Sequence, residues 1–369
     1  MRTIVLFVPT MSSGGAERVI TNLANEFSKR GDLKVYLATR FEGVNTKLVS
    51  NLVKVVDLRT MNFFRFYRFL RNLSPDVLMS TSSSNLRAAA LKIFLPDKTL
   101  FITRAANIFF NWRSPLVSKG LKSKIAAIWL RFAYNHSDGI ISNSPDTEKS
   151  LIDEGIRNSI KTIGNPVFYA ADINQNAMVP HDVITPYIVY VGSYKSQKRI
   201  DLLLDVFLKL SQMADINLVM VGDGVDSGVK EFAISFIRDH NLQHKVLMVG
   251  RKSDLSGYYK HARCFVLCSE YEGFGNVIVE SLAYGTPVVC FDCPGGPNFI
   301  LEDNKYGQLV EFGDTDAFAQ KVFDIITNKI EYKDSDLISR AQIFSVESIS
   351  EQYLECIKHF YYDKFSVGF

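Results

Sequence analysis

Two glutamates eight residues apart, Glu272 and Glu280, stand in the stretch SEYEGFGNVIVESLAYGTPVV, residues 269–289. Gly273 and Gly275 relax the backbone between them, and Gly285 with Pro287 stops the helical pattern that follows. An ionised carboxylate only accepts hydrogen bonds, so such a pair suits neighbouring sugar hydroxyls. The same pair could work as acid and base. The ordinary alternative for Glu280 is a solvated helix residue. Asn276 is the expected N-cap of the helix, whose free N–H groups would favour an anion.

Positive charge gathers in VGSYKSQKRIDLLLDVF, residues 191–207. Lys195, Lys198 and Arg199 crowd a helix start and oppose its dipole, an imbalance that a bound phosphate relieves. Three further glycine turns follow apolar runs: SSGGAER (12–18), VGDGVDSG (221–228) and MVGRKSDL (248–255). Gly14 and Gly15 permit close backbone approach at a helix start, and Arg251 falls at a strand end. Each of these alone is equally a plain tight turn. No G-x-G-x-x-G follows the first apolar run, which argues against a dehydrogenase.

The elements that must position these residues are legible as apolar runs. Segments 2–8, 33–39, 53–58, 76–80, 99–103 and 139–143 read as buried strands. Helical patterns lie between several of them, the clearest placing Val19, Ile20, Leu23 and Phe27 on one face. The pattern fades near 165–186, which holds three prolines, and restarts with strands at 187–192, 216–222, 245–250, 264–269 and 286–291. Helical patterns follow near 199–213, 228–240 and 276–284. Apolar strands alternating with helices predict parallel sheets covered on both faces. The expectation is two Rossmann-like, doubly wound α/β domains facing across a cleft, with ligands outside the carboxyl ends of the strands. The expected divisions are 1–168, a linker at 169–186, 187–348, and a final helix at 349–369 packing back on the first domain.

Bulk composition narrows the class. The chain has 369 residues, 47% hydrophobic and 22% charged, which suits two globular domains. Residues 1–170 hold 24 Lys+Arg against 12 Asp+Glu, whereas residues 171–369 hold 18 against 27. That asymmetry points the first half toward an anionic membrane surface or an acidic substrate. No recognition motif supports nucleic acid. The five cysteines all lie in the second half, and Cys290-x-x-Cys293 lacks the second pair a zinc site needs. The start MRTIVLFVPT reads as a buried strand rather than a signal peptide, so the expected location is cytoplasmic.

Together these motifs resemble the E-x7-E pattern of retaining family 4 glycosyltransferases. Ser269, Glu272, Gly273, Phe274, Gly275, Glu280, Ala283, Gly285, Pro287, Val288 and Val289 match it. GGAER, KTIGNPV (161–167), the Q-K-R-I-D of 197–201, VGDG and PGGP (294–297) extend the resemblance over nearly the whole chain. It implies the GT-B fold, with the nucleotide-sugar, a UDP- or GDP-sugar, on the C-terminal domain and the acceptor on the N-terminal one. In that reading Glu280 binds ribose hydroxyls and Glu272 the donor sugar. Lys198 binds the diphosphate with Arg199 or Lys195, and Gly273, Phe274, Gly275, Asn276 and Val277 line the site. Gly15 approaches the diphosphate and Arg251 lies near the base. Ser193 stands where the family often has Arg, so one diphosphate cation is missing. The family's N-domain histidine is also absent from FITRAANIFF (101–110), leaving Arg104 and Asn107 as the polar acceptor-side groups.

The implied activity is metal-independent transfer, with no cofactor, to a lipid-linked saccharide in surface polysaccharide, O-antigen or glycan-precursor assembly. A nucleotide-sugar epimerase, a sugar-phosphate synthase or a non-catalytic nucleotide-sugar binder are the alternatives. RTMNFFRFYRFLRN (59–72) and NWRSPLVSKGLKSKIAAIWLRFAY (111–134) mix cations with aromatic residues, as two ordinary helices with a Phe face in the core and an Arg face in solvent would, or as an acceptor domain docked peripherally on the inner membrane face would; the basic first half favours the membrane.

Overall fold

Strands that are apolar on both sides have no wet face, and here they fill the interiors of two parallel sheets. The fold is that of a computed structural model describing residues 1–11, 14–108, 121–224 and 226–369, with side chains at 44 and 121–127 outside that description. The chain divides into two compact units, Met1–Val167 with Ser345–Phe369, and Phe168–Phe344.

In the first unit, β1 (Arg2–Thr10), β2 (Leu33–Arg40), β3 (Lys54–Asp57), β4 (Val77–Thr81), β5 (Leu100–Ala105), β6 (Gly139–Ser142) and β7 (Ile160–Thr162) make one sheet. Its order is β3-β2-β1-β4-β5-β6-β7, all parallel. Val5, Phe7, Leu78 and Phe101 of the strands pack with Phe66, Leu70, Leu91 and Ala133 of the covering helices. The C-terminal helix Val346–Phe365 belongs to this unit, starting three residues before the expected 349 because Ser345 caps it by accepting from Ser348 N–H. It is held by the Phe360 ring against Gly139 and by Lys364 Nζ on Asp138 at 2.6 Å.

The second unit repeats the plan with β8 (Tyr187–Val191), β9 (Asn217–Val221), β10 (Val246–Gly250), β11 (Phe265–Leu267), β12 (Val288–Asp292) and β13 (Gln308–Glu311). Its order is β10-β9-β8-β11-β12-β13, again parallel. β7 and β13 were not expected from the apolar runs. Both are edge strands whose residues are mostly only part-buried or exposed, so polar residues interrupt the apolar run.

Residues 169–186 are not a free linker. They pack on the second unit, with Gln175 donating to the Ala283 carbonyl at 2.9 Å and Asp182 accepting from Lys252 at 2.6 Å and from Tyr258 at 2.8 Å. Proline removed the periodicity but not the tertiary hydrogen bonding. Among the described residues no helix is long and apolar enough to cross a membrane. Of the aromatic, basic stretch 111–134, residues 111–120 and the side chains of 121–127 lie outside those residues.

Candidate active site

The second sheet runs outward in both directions from β8 and β11, so their carboxyl ends border the crevice where ligands bind in doubly wound sheets. Two loops meet there. The loop after β8 makes one 3-10 turn, Ser196–Lys198, and Arg199 takes a left-handed conformation (φ 48°) before the helix Ile200–Met213. Gln197 ties this turn to the loop after β11. Its carbonyl accepts from Glu270 N–H at 2.9 Å, and its Nε2 donates to the Tyr271 carbonyl at 2.5 Å.

That splice aims Lys198 at Glu272, with Nζ 2.5 Å from Oε1. Ser269 Oγ donates to the same oxygen at 2.6 Å. Glu272 is only 7% exposed, yet among the described residues its Oε2 has no hydrogen-bond partner and is not wholly buried. One carboxylate oxygen is therefore held by the protein and the other is open to a hydroxyl. The neighbouring Tyr190 hydroxyl is pushed well above its usual pKa, first by burial and then by the Glu272 charge, so it stays protonated.

Backbone packing explains the glycines nearby. Gly295 has φ 130°, and a Cβ there would strike the Glu272 carbonyl oxygen. A Cβ on Gly296 would strike the Phe274 carbonyl oxygen, while Glu272 N–H donates to the Pro294 carbonyl at 3.0 Å. PGGP thus clamps the Glu272 loop from beneath. The helix after it spans Asn276–Ala283, and its N-cap is Gly275 in the left-handed region (φ 95°), not the expected Asn276. Asn276 and Val277 are its first residues, so their N–H groups have no acceptor four residues back within the helix.

Glu280 lies one turn further, its Oε2 accepting from the Tyr259 hydroxyl at 3.0 Å. Tyr259 is 1% exposed, stacks on Tyr284 with centroids 6.0 Å apart, and its carbonyl accepts from Thr286 Oγ1 at 2.6 Å. Sequence reasoning missed Tyr259. The only signal was a tyrosine in a short helical segment, Ser256–Lys260, shortly before β11.

Several expected site residues have other partners. Arg199 forms an ion pair with Asp201 at 2.6 Å and lies over the Phe312 ring, and Lys195 is exposed. Phe274 is 3% exposed and packs edge-on against Phe344 at 5.4 Å, so only its backbone, like that of Gly273, can face a ligand. Arg251 is exposed beyond β10, where its charge reaches Asp223. Gly15, in the first unit, opens the helix Gly15–Ser28, and the adjoining Ser12 and Ser13 lie outside the described residues.

Arg104 is fully buried in β5 rather than presented to an acceptor. It donates to Tyr353 Oη at 2.9 Å, Thr81 Oγ1 at 3.3 Å and Asn165 Oδ1 at 2.5 Å. Asn107 is exposed just past that strand. The five cysteines are free and buried, and burial pushes the thiols of Cys268 and Cys290 well up. Among the described residues no group of three His, Cys, Asp or Glu could hold a metal ion.

Two parallel α/β sheets of this kind, of seven and six strands, are the plan of the GT-B glycosyltransferases. A Glycosyltransferase Family 4 model matches residues 13–168, and the Glycosyl transferases group 1 model matches residues 175–343. Between them they take in most of the chain, which belongs to this glycosyltransferase family. A Campylobacter jejuni diphospho-undecaprenol-linked 4-alpha-N-acetylgalactosaminyltransferase is 24% identical over 335 residues, 87% of this chain and 89% of that protein. A lipopolysaccharide core biosynthesis glycosyltransferase of Rhizobium meliloti is 24% identical over 353 residues, 93% and 96% of the two chains. Among solved structures, a Rickettsia africae glycosyltransferase superposes with a TM-score of 0.81 at 19% identity, covering 97% of this chain and 98% of that one. An Anabaena protein solved with UDP gives 0.78 at 19% identity, covering 97% and 100%. At those identities the structural likeness speaks for the fold.

Proposed function

We propose that this glycosyltransferase moves a sugar, with retention of anomeric configuration, from a nucleotide-sugar to a hydroxyl of a lipid-linked saccharide in surface polysaccharide assembly. The single observation that carries the donor half is Glu272, gripped on Oε1 by Lys198 and Ser269 and open on Oε2, eight residues before Glu280. A UDP-sugar is favoured over a GDP-sugar, in keeping with the UDP complex of the Anabaena neighbour. The lipid-linked acceptor and a working place at the inner membrane face are in keeping with the undecaprenol-linked substrate named for the Campylobacter relative.

The chemistry follows from the parts. As the sugar C1–O bond breaks, charge builds on the diphosphate. Lys198 and the N–H groups of Gly275, Asn276 and Val277 stabilise it, with no metal in the scheme. Glu272 Oε2 holds a sugar hydroxyl and Glu280 the ribose. The leaving phosphate oxygen takes the acceptor proton on the face it vacates, which retains configuration. A carboxylate whose Oε1 is already engaged by Ser269 and Lys198 suits hydroxyl binding better than attack on C1.

A thermal-shift panel of UDP- and GDP-sugars, repeated with Glu280→Ala, tests the donor reading. Stabilisation by UDP-sugars that weakens in the variant is expected, and stabilisation by none of them overturns it. Turnover of donor without acceptor would point to an epimerase instead, and binding without any transfer to a sensor.

A further inference from the structure

Lys198 and Glu272 stand on different loops, and each loop has its own anchor on its far side. The turn after β8 is held toward β9, where Tyr194 N–H donates to the Asp223 carbonyl at 2.9 Å. It closes on itself through Lys198 N–H and the Lys195 carbonyl, also at 2.9 Å. The loop after β11 is held from the other side, with Glu272 N–H on the Pro294 carbonyl at 3.0 Å. Neither anchor fixes one loop against the other. The Lys198–Glu272 ion pair spans them, but those are the two side chains a donor would engage. Gln197 spans them without being spent on the donor. It bonds two consecutive peptides, accepting from Glu270 N–H at 2.9 Å and donating from Nε2 to the Tyr271 carbonyl at 2.5 Å.

The two bonds differ in kind. Any residue at 197 would present a carbonyl to Glu270, and a single hydrogen bond is a pivot. The second bond, to the adjoining peptide, removes that rotation and needs a side-chain donor of this reach. Glu272 is the next residue along, so rotation of the Tyr271 peptide would swing its carboxylate off Lys198. Charge matters as much as reach. A lysine or arginine at 197 would set a second cation beside Glu272, whose ion-pair partner among the described residues is Lys198. A glutamate would face the Tyr271 carbonyl with an acceptor and no proton between them. A carboxamide donates without either fault, and both Gln197 and Tyr271 are half-buried, where such a bond is shielded from water.

We propose that Gln197 is a positioning residue for donor selection: its carboxamide holds the diphosphate-binding turn and the sugar-binding loop in one register, so that a nucleotide-sugar is preferred over the bare nucleotide. The inference rests on the donor reading above and acts through Lys198 and Glu272. Bare UDP meets Lys198 and the helix start but has no sugar for Glu272, so it binds wherever the second loop stands. A UDP-sugar reaches from one loop to the other. It gains from Glu272 only when Oε2 lies where the sugar hydroxyls arrive. Loosening the tie therefore costs the sugar's share of binding and little of the nucleotide's.

Calorimetric titration with UDP, and with the UDP-sugar that stabilises the protein most in the donor panel, tests this. Gln197→Met keeps the side-chain length and the backbone bond to Glu270 and removes only the donor. Affinity for the UDP-sugar should fall about fivefold to tenfold, with affinity for UDP nearly unchanged. Gln197→Glu should do no better than Gln197→Met. In a Glu272→Gln background Gln197→Met should cost little more, because residues acting through one network are not additive. Equal losses for UDP and the UDP-sugar would mean a general support of the turn and would overturn the inference. No loss, or full additivity with Glu272→Gln, overturns it too while sparing the donor reading. A wild-type protein that no UDP-sugar stabilises fails the donor reading itself, and the inference falls with it.

Discussion

Lys198 and Arg104 are both cations at the carboxyl side of a central strand, one in each unit, and their surroundings make them opposites. Lys198 pairs with a carboxylate that keeps one oxygen open at a crevice. Arg104 is sealed beneath the surface, and its partners among the described residues are the neutral oxygens of Tyr353, Thr81 and Asn165. Those oxygens belong to the C-terminal helix, to β4 and to the turn that ends the first unit's main segment, so Arg104 fastens three remote stretches together. A charge at a strand end becomes a ligand group only where the fold leaves its partner accessible. Elsewhere the same charge is a tie, tolerable in the interior because its donors are satisfied.

The comparison can be broken most sharply at Lys198. Lys198→Ala should lower kcat by about a hundredfold to a thousandfold while the protein remains folded, read by single-turnover transfer and a urea melt. Survival of the rate would remove Lys198 from the reaction. Arg104→Met should do the converse. It strands three polar groups and should cost about 2–4 kcal/mol of stability, measured by urea unfolding, with UDP affinity of the folded protein unchanged. A fully stable Arg104→Met would show that the tie is dispensable.

Finer contrasts lie within the donor site. Tyr259→Phe removes one hydrogen bond to Glu280 without touching the donor. It should raise the donor KM about fivefold at unchanged kcat, and narrow the preference for UDP over 2′-deoxy-UDP. A merely structural tyrosine would lower stability and leave that preference intact. The smallest effect concerns the thiols beneath the crevice. Burial raises the folded-state pKa of Cys268 and Cys290, so the unfolded chain loses these protons first. Their contribution is whole below the ordinary thiol range of ~8.5 and declines as pH rises above it. Tm should fall between neutral pH and mildly alkaline pH, and native thiols should resist a disulfide reagent that modifies them after unfolding.

Much of this was legible from local pattern. The long apolar runs became strands with ends shifted by a residue or two, and the glycine turns fell at their carboxyl ends. The edge strands β7 and β13 were not legible, because they are only partly buried and so lack the continuous apolar run that marked β6 and β11, which are just as short. Nor were the roles of Phe274 and Arg199. A conserved-looking position in a motif does not reveal that the ring is in an aromatic cluster or that the guanidinium is spent on Asp201.

By itself the sequence determined two parallel α/β sheets, the placement of Glu272, Glu280 and Lys198 on loops past strand ends, and the cationic character of the first half. Only the tertiary structure decided which of those charges meet. Lys198 and Glu272 are 74 residues apart, and Arg104 and Tyr353 are 249 apart. Hydrophobic periodicity reports how each segment faces its own core. Strand order then selects which loops become neighbours, and that order is a property of the whole sheet rather than of any stretch within it.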